Sequence, residues 1–264
     1  MPSENKRRAL GQHFLRDSTI ARAIVDLVAP TPGDLVVEIG PGEGALTSIL
    51  AGRAGRVVAL EVDRALAAAL RARFPSVEVL DADARTWDYA ALVAPSGGRV
   101  LVIGNLPYSV GKPILTALVG ARGAIDEMAL MLQREVAERV AASPGGKTYG
   151  SLSVFTQLRC DVRLALRVPA GAFRPLPKVE SAVLHLRVLR EPRVPLADER
   201  RFETVVRAAF AQRRKVLANA LGAGLGLPLE VVRRAAGLAG VDPGRRAETL
   251  SLQEFADLTT RLSR

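Results

Sequence analysis

Between Leu35 and about Arg187, short β-branched runs alternate with Ala/Leu/Arg stretches of helical period, and this alternation constrains the fold more than any other feature. The runs LVVEIG (35–40), RVVALEV (56–62), VEVL (77–80), VLVIGN (100–105) and ALMLQ (129–133) read as strands. They are apolar on both faces, as strands of a parallel sheet covered by helices on each side must be. The stretches 45–53, 64–73, 110–119 and 134–142 carry helical spacing between them. Such alternation builds βαβ units with right-handed crossovers, so the expected fold class is α/β, a mostly parallel, doubly wound sheet. After Cys160, LALRV (164–168) and SAVLHLRV (181–188) are expected to pair as an antiparallel hairpin that closes the sheet.

REPRVPLA (190–197) has two prolines and little periodicity and reads as a linker. Beyond it only helical patterns occur, among them RFETVVRAAFAQRRKVLANAL (201–221). The expected organisation is therefore an α/β domain over 1–189, with 1–30 as an N-terminal segment and first helix, and a small all-α domain over 198–264. The chain carries 37 Lys and Arg against 27 Asp and Glu, a formal net charge of +10. From Arg187 onward there are 15 basic and 9 acidic residues, so the helical tail holds six of the ten surplus charges. A surplus of this size favours fast, salt-sensitive association with polyanions such as nucleic acid. Arg213-Arg214-Lys215, read as mid-helix, is the candidate phosphate-binding cluster of the tail, and Lys6-Arg7-Arg8 is the next basic cluster.

No apolar run approaches the ~18 residues of a spanning helix, and the basic start lacks the apolar stretch of a secretory signal. Cys160 is the only cysteine, which excludes an intramolecular disulfide and a cysteine-cluster metal site and fits a reducing cytosol. The expectation is a cytoplasmic protein with no membrane partner and no metal.

Behind the first strand comes Gly40-Pro41-Gly42-Glu43-Gly44. Glycines there let the backbone turn sharply and approach a ligand at a helix N-terminus. The spacing is tighter than the G-x-G-x-x-G of dinucleotide binders, and with Glu38 ahead of it resembles motif I of Rossmann-like S-adenosylmethionine methyltransferases. Glu61 ends the second strand 21 residues after Gly40, where a carboxylate accepts both hydroxyls of a ribose. Asp63 reads as the cap of the following helix. Asp81 and Asp83 both follow the third strand, and spacing alone leaves open which of them meets an adenine amino group.

Asn105-Leu106-Pro107-Tyr108 stands at the end of the fourth strand, where open α/β sheets place their reacting groups. The tetrad resembles the (Asn/Asp/Ser)-Pro-Pro-(Tyr/Phe) signature of amino-group methyltransferases. An exocyclic adenine amine is a poor nucleophile because its lone pair is delocalised into the ring. Acceptors at the Asn105 side-chain oxygen and the Leu106 carbonyl take its N–H bonds and turn the lone pair outward. Pro107 stiffens the turn, and Tyr108 offers a ring for a flipped base to stack on.

Two flanking segments, Gly11-Gln12-His13-Phe14-Leu15 and Phe173-Arg174-Pro175-Leu176-Pro177-Lys178-Val179, belong to no generic Rossmann protein. With VEIGPGEGALT, LEVDR, DADA, NLPY, KTYG (147–150) and FAQRRKVLANAL (210–221), they make the chain similar to the ribosomal RNA adenine N6-dimethyltransferase family over about residues 6–258. NLPY, the Phe-x-Pro-x-Pro-Lys-Val segment, the Gln-Arg-Arg-Lys stretch and RRAETLS (245–251) resemble its small-subunit, KsgA-type branch rather than the Erm-type branch that acts on the large subunit. The resemblance implies S-adenosylmethionine as cofactor, with contacts at His13, Leu15, Gly40, Gly42, Glu61, Asp83 and Asn105. It thereby selects Asp83 over Asp81. Most relatives have Asn where this chain has His13, so that contact comes either from an imidazole nitrogen or from backbone alone. Phe173 becomes a second aromatic plate facing Tyr108 across the target base. The substrate implied is two adjacent adenosines in the 3′-terminal hairpin loop of small-subunit rRNA, in a pre-30S particle, with the enzyme a monomer. Catalysis then falls to 1–189 and RNA docking to 198–264. An Erm-type enzyme and a non-enzymatic ribosome-assembly factor are the alternatives.

Overall fold

A computed structural model describes residues 13–121 and 123–262. Gly11, Gln12 and the Lys6-Arg7-Arg8 cluster lie outside the described residues. The chain divides into two compact units, one formed by residues up to Ala137 with Asp161–Arg190, the other by Glu138–Cys160 with the residues from Glu191 onward.

The first unit is a seven-stranded sheet flanked by helices. Its strands are β1 (Leu35–Ile39), β2 (Arg56–Glu61), β3 (Glu78–Asp81), β4 (Val100–Asn105), β5 (Glu127–Gln133), β6 (Cys160–Val168) and β7 (Ser181–Val188), in the order β3-β2-β1-β4-β5-β7-β6. Strands β1 to β5 run parallel, and β7 lies antiparallel to β5, with Gln133 opposite Ser181. The order reverses beside β1, so the crevice above β1 and β4 is the topological switch point at which such sheets bind ligands. Every residue of β1 is buried, which is why its sequence shows no polar alternation. The helices of this part of the chain are α1 (Ser18–Val28), α2 (Thr47–Leu50), α3 (Arg64–Arg73), α4 (Gly111–Gly120) and α5 (Arg134–Val140). Asp17 and Asp63 cap α1 and α3 through their carboxylates. The expected helix over 45–53 shrinks to the single turn of α2, because Gly44 is left-handed (φ +84°) and turns precede and follow it.

A two-residue antiparallel pair, Phe14–Leu15 with Phe173–Arg174, ties the segment ahead of the sheet to the segment ahead of β7. Leu15 and Phe173 both enter the core beneath it, with Ile24, Ile103, Met131 and Val183. At the opposite strand ends, buried Asp34 accepts from the backbone N–H groups of Thr31 and Arg99 and from the Arg99 guanidinium. Burial pushes the Asp34 carboxyl up, but the Arg99 and Thr31 hydrogen bonds hold it down at about 2. That end of the sheet is knotted shut; the other is open.

The second unit contains α6 (Ser151–Arg159), α7 (Glu199–Ala211), α8 (Leu217–Leu225), α9 (Leu229–Leu238) and α10 (Leu252–Leu262). Its core joins Tyr149, Val154 and Leu158 to Phe202, Val205, Leu217, Leu221 and Phe255. The expected boundary at 190 is therefore only one of the crossings, since 138–160 packs with the tail rather than with the sheet. The run 201–221 is not one helix either. Phe202, Val206 and Ala209 form the buried stripe of α7, and the same spacing continued would carry Arg213 into the apolar face. The helix ends at Ala211 instead. The first N–H groups of α8 bond the carbonyls of Arg245 and Pro243 at 2.7 and 3.1 Å, which replaces the support of a preceding turn.

Candidate active site

The C-terminal ends of β1, β2, β3 and β4 surround a cleft of about 200 Å³, lined among others by Ile39, Gly40, Gly42, Glu61, Asp83 and Asn105. Gly40, Gly42 and Gly44 all have positive φ. At Gly42 the reason is also steric: a Cβ there would lie 2.8 Å from the Phe14 ring, itself a wall of the cleft. Ala at Gly42 would have to displace that ring.

Glu61 is almost completely buried. One carboxylate oxygen accepts from the Gly42 N–H at 3.2 Å and the other from the Asp63 N–H at 3.0 Å. Each oxygen keeps a further lone pair, so the carboxylate can take two neighbouring hydroxyls at once. Burial pushes its pKa up against the pull of those two backbone bonds. Asp83 lines the cleft, whereas Asp81 does not and pairs with Arg71 at 2.6 Å. Asp83 is held by Arg85, whose backbone N–H and guanidinium reach both its oxygens at 2.5–3.0 Å. That guanidinium keeps the Asp83 carboxyl below its usual range. An amino group arriving at Asp83 has to compete with it. The lining they share is largely apolar and includes Leu60, Val62, Ala82 and Ile114. Val62 is 61% exposed on this wall, a contact that sequence reasoning missed although a valine following the strand-ending Glu61 was in plain sight.

Glu38, one residue before the end of β1, is fully buried under the glycine turn, and its carboxylate accepts from the Thr47 hydroxyl at 2.7 Å. Burial pushes its pKa up to about 7. The unfolded chain ionises this group near 4.5, so its favourable contribution is complete below that pH and is lost as pH rises through 7. The difference amounts to about 3 kcal/mol. Urea denaturation of wild type and Glu38→Gln from pH 5 to 8 should show the variant gaining on the wild type as pH rises. A stability difference that stays flat across the range would contradict the raised pKa.

Asn105 ends β4 and lines the cleft. Its side-chain N–H donates to the His13 carbonyl at 2.8 Å, which leaves the amide oxygen available to the cleft. The Leu106 side chain is buried and its N–H donates to the Met131 carbonyl at 3.0 Å; its carbonyl has no partner among the described residues. Pro107 lines the cleft, and its carbonyl accepts from the Val110 N–H at 3.1 Å. The Tyr108 hydroxyl shares a 2.6 Å hydrogen bond with the buried Ser181 hydroxyl. Its ring lies 5.2 Å from the His13 ring, tilted by 36°. His13 Nδ1 is 2.8 Å from the Pro175 carbonyl; because that oxygen only accepts, Nδ1 carries a hydrogen and donates it there.

A second cavity, of about 730 Å³, is lined by His13, Tyr108, Gln133, Pro175, Leu176, Lys178 and Val179. His13 and Tyr108 border both spaces. A ligand in the cleft and another in the cavity would therefore meet beside these two rings and Asn105.

Two expectations need correction, and a third is narrowed. Phe173 is 0% exposed and packed in the core, so it is no plate for a base; the ring next to Tyr108 is His13. The Leu15 side chain points into the core, so a cofactor contact at this residue would have to come from its backbone, while its neighbour Phe14 lines the cleft. Arg213 stands in the turn after α7, where its guanidinium bonds the Lys147 carbonyl at 2.6 Å and lies 3.6 Å from Glu248. It is committed to holding the second unit together. Arg214 and Lys215 are exposed in the same turn and make no ion pair among the described residues. Among the described residues no group of three or more His, Cys, Asp or Glu is placed to hold a metal ion, and no helix is long and apolar enough to cross a membrane.

A family model for ribosomal RNA adenine dimethylase matches residues 3–263. The chain is 48% identical to a protein of Geobacter metallireducens called ribosomal RNA small subunit methyltransferase A, over 96% of this chain and 94% of that one. It is 46% identical to a protein of the same description from Moorella thermoacetica, over 97% and 92%. Among solved structures it resembles a dimethyladenosine transferase from Plasmodium falciparum, with a TM-score of 0.76, 24% identity and coverage of 93% and 96%. It also resembles the 23S rRNA methyltransferase ErmE, with a TM-score of 0.71, 30% identity and coverage of 95% and 100%.

Proposed function

The chain belongs to the ribosomal RNA adenine dimethylase family, and from this premise we infer that it methylates N6 of two adjacent adenosines in the 3′-terminal hairpin loop of small-subunit rRNA, with S-adenosylmethionine as donor. Its substrate in this reading is a pre-30S particle in the cytoplasm, met by the enzyme as a monomer. The observation that carries it is the meeting of cleft and cavity at His13 and Tyr108, with the Asn105 amide oxygen beside them.

The cleft suits an adenosine-bearing cofactor: Glu61 keeps lone pairs for a ribose diol, Asp83 offers a carboxylate to an adenine amino group, and apolar residues share the lining with them. When bound, S-adenosylmethionine supplies an electrophilic methyl group on a sulfonium. Asn105 Oδ1 and the Leu106 carbonyl accept the N–H bonds of the target amine and aim its lone pair at the cleft. Each transfer would break one S–CH₃ bond and leave the neutral thioether, form one N–CH₃ bond and release one N6 proton to water, so the two hydrogens of the amine allow two rounds. His13 fixes Asn105 through its carbonyl and packs on Tyr108, which offers its ring to the base. Arg214 and Lys215 remain candidates for phosphate contacts in RNA docking.

Tyr108 divides ring from hydroxyl. Tyr108→Phe should keep methylation within a few-fold of wild type while lowering stability by about 1 kcal/mol, since the Ser181 hydroxyl loses its partner. Tyr108→Ala should lower kcat/KM for RNA by about 10–100-fold, the scale of one base-aromatic stack. Equal damage by both substitutions would assign the role to the hydroxyl.

The reading as a whole is tested by incubating the protein with unmethylated small-subunit particles and labelled S-adenosylmethionine, then mapping the rRNA by mass spectrometry. Two adjacent dimethyladenosines in the 3′-terminal loop are expected. Label absent from these particles but present on unmethylated large-subunit RNA incubated in parallel would favour the Erm-type reading, and particle binding without label a non-enzymatic assembly role.

A further inference from the structure

The second cavity contains a polar group that the amine-clamping chemistry leaves unused. Gln133 is the last residue of β5 and is paired with Ser181 of β7, the residue whose hydroxyl bonds Tyr108 at 2.6 Å. It is thus rooted in the sheet beside the stacking ring. Its side chain is half-buried, lines the cavity, and has no hydrogen-bond partner among the described residues. A ligand that entered the cavity would have to pair this amide or strip it of water at a cost.

The remaining wall narrows what that ligand needs. Leu176 and Val179 are 61% and 46% exposed and, with Pro175, make the cavity apolar on one side. Lys178 brings a charge on a flexible stem, suited to a phosphate rather than to a base edge. His13 gives its Nδ1–H to the Pro175 carbonyl, so that donor is already committed. An adenine whose amine is held by Asn105 and Leu106 still presents ring nitrogens on each side of N6, and both are acceptors. Gln133 carries two uncommitted N–H donors.

We propose that Gln133 is a specificity-determining residue whose side-chain amide donates to a ring nitrogen, N1 or N7, of the adenine being methylated. The proposal rests on the target base entering the cavity lined by Tyr108 and Gln133. It makes the cavity a reader of the base and not only a stacking site.

The test is a cycle between protein and substrate. Wild type and Gln133→Leu are assayed on small-subunit particles whose target adenosines are natural, 1-deaza or 7-deaza. Gln133→Leu should lower kcat/KM on natural RNA by about 10-fold, with S-adenosylmethionine affinity and melting temperature unchanged. One of the two deaza substrates should cost the wild type a similar factor and cost the variant nothing further. Gln133→Leu within two-fold of an active wild type, or losses that multiply independently for both analogues, would overturn the role of Gln133 while leaving the methylation reading intact. A wild type that fails on natural particles would overturn both.

Discussion

Asn105→Ala should slow methyl transfer by about 10²–10³-fold, the scale found when one positioned hydrogen-bonding group is removed from a transition state. The side chain acts at two ends. Its oxygen is left to accept in the cleft that Asn105 lines, and its N–H holds the His13 carbonyl at 2.8 Å. Alanine removes the acceptor and frees the His13 segment together, so the loss should fall at the upper end of the range. Asn105→Asp keeps an acceptor oxygen but cannot donate to His13, and should fall between alanine and wild type. Single-turnover methylation with labelled cofactor measures the chemical step, and calorimetry in parallel reports cofactor affinity. An alanine variant that binds cofactor normally and methylates within a few-fold of wild type would remove Asn105 from the clamp.

Phe173→Ala should destabilise the protein by about 3–5 kcal/mol, the cost of deleting a fully buried aromatic side chain. The ring has no exposed surface and packs among Leu15, Ile24, Ile103 and Val183. Urea unfolding should show the loss directly, and Phe173→Leu, which leaves a smaller void, should recover a large part of it. A residue that merely faced a base would behave in the opposite way, losing activity on RNA at wild-type stability. An unchanged unfolding midpoint in Phe173→Ala would refute its place in the core.

The sheet was legible from local pattern. Strands β1 and β4 agree with the sequence runs to within a residue, because a strand buried on both faces shows itself as an uninterrupted apolar run. Asp63 as a helix cap and the left-handed glycines of the 40–44 turn were equally local, each decided by the residue and its immediate neighbours. The helical tail was legible in kind but not in segmentation. The local sign of a break in RFETVVRAAFAQRRKVLANAL is Arg213 falling on the buried stripe; where the two helices end and begin is supported by partners far away, Lys147 for Arg213, and Pro243 and Arg245 for the start of α8. The same distance effect hid the membership of 138–160 in the second unit. A chain cut near residue 189 would strip Tyr149, Val154 and Leu158 of the helices they pack with, so removing the tail is a harsher operation than the proline-rich linker suggests.

By itself the sequence determined the α/β alternation, the glycine turn, and the order of Glu61, the Asp81 and Asp83 pair, and Asn105 at successive strand ends, for these follow from side-chain period and from residue types with few conformational choices. Tertiary structure alone decided which aromatic ring stands beside Tyr108. Phe14, Leu15, Phe173 and Arg174 are brought together across more than 150 residues by one short antiparallel pair, and that pairing turns Phe173 into the core and leaves His13 beside Tyr108. Likewise, only the fold joins the Asn105 amide to a carbonyl 92 residues earlier and brings Gln133 to the cavity that Tyr108 borders. The physical reason is the same in each case: periodicity states that a side chain is apolar or polar, whereas its exposure and its partner depend on which distant backbone pairs with its own.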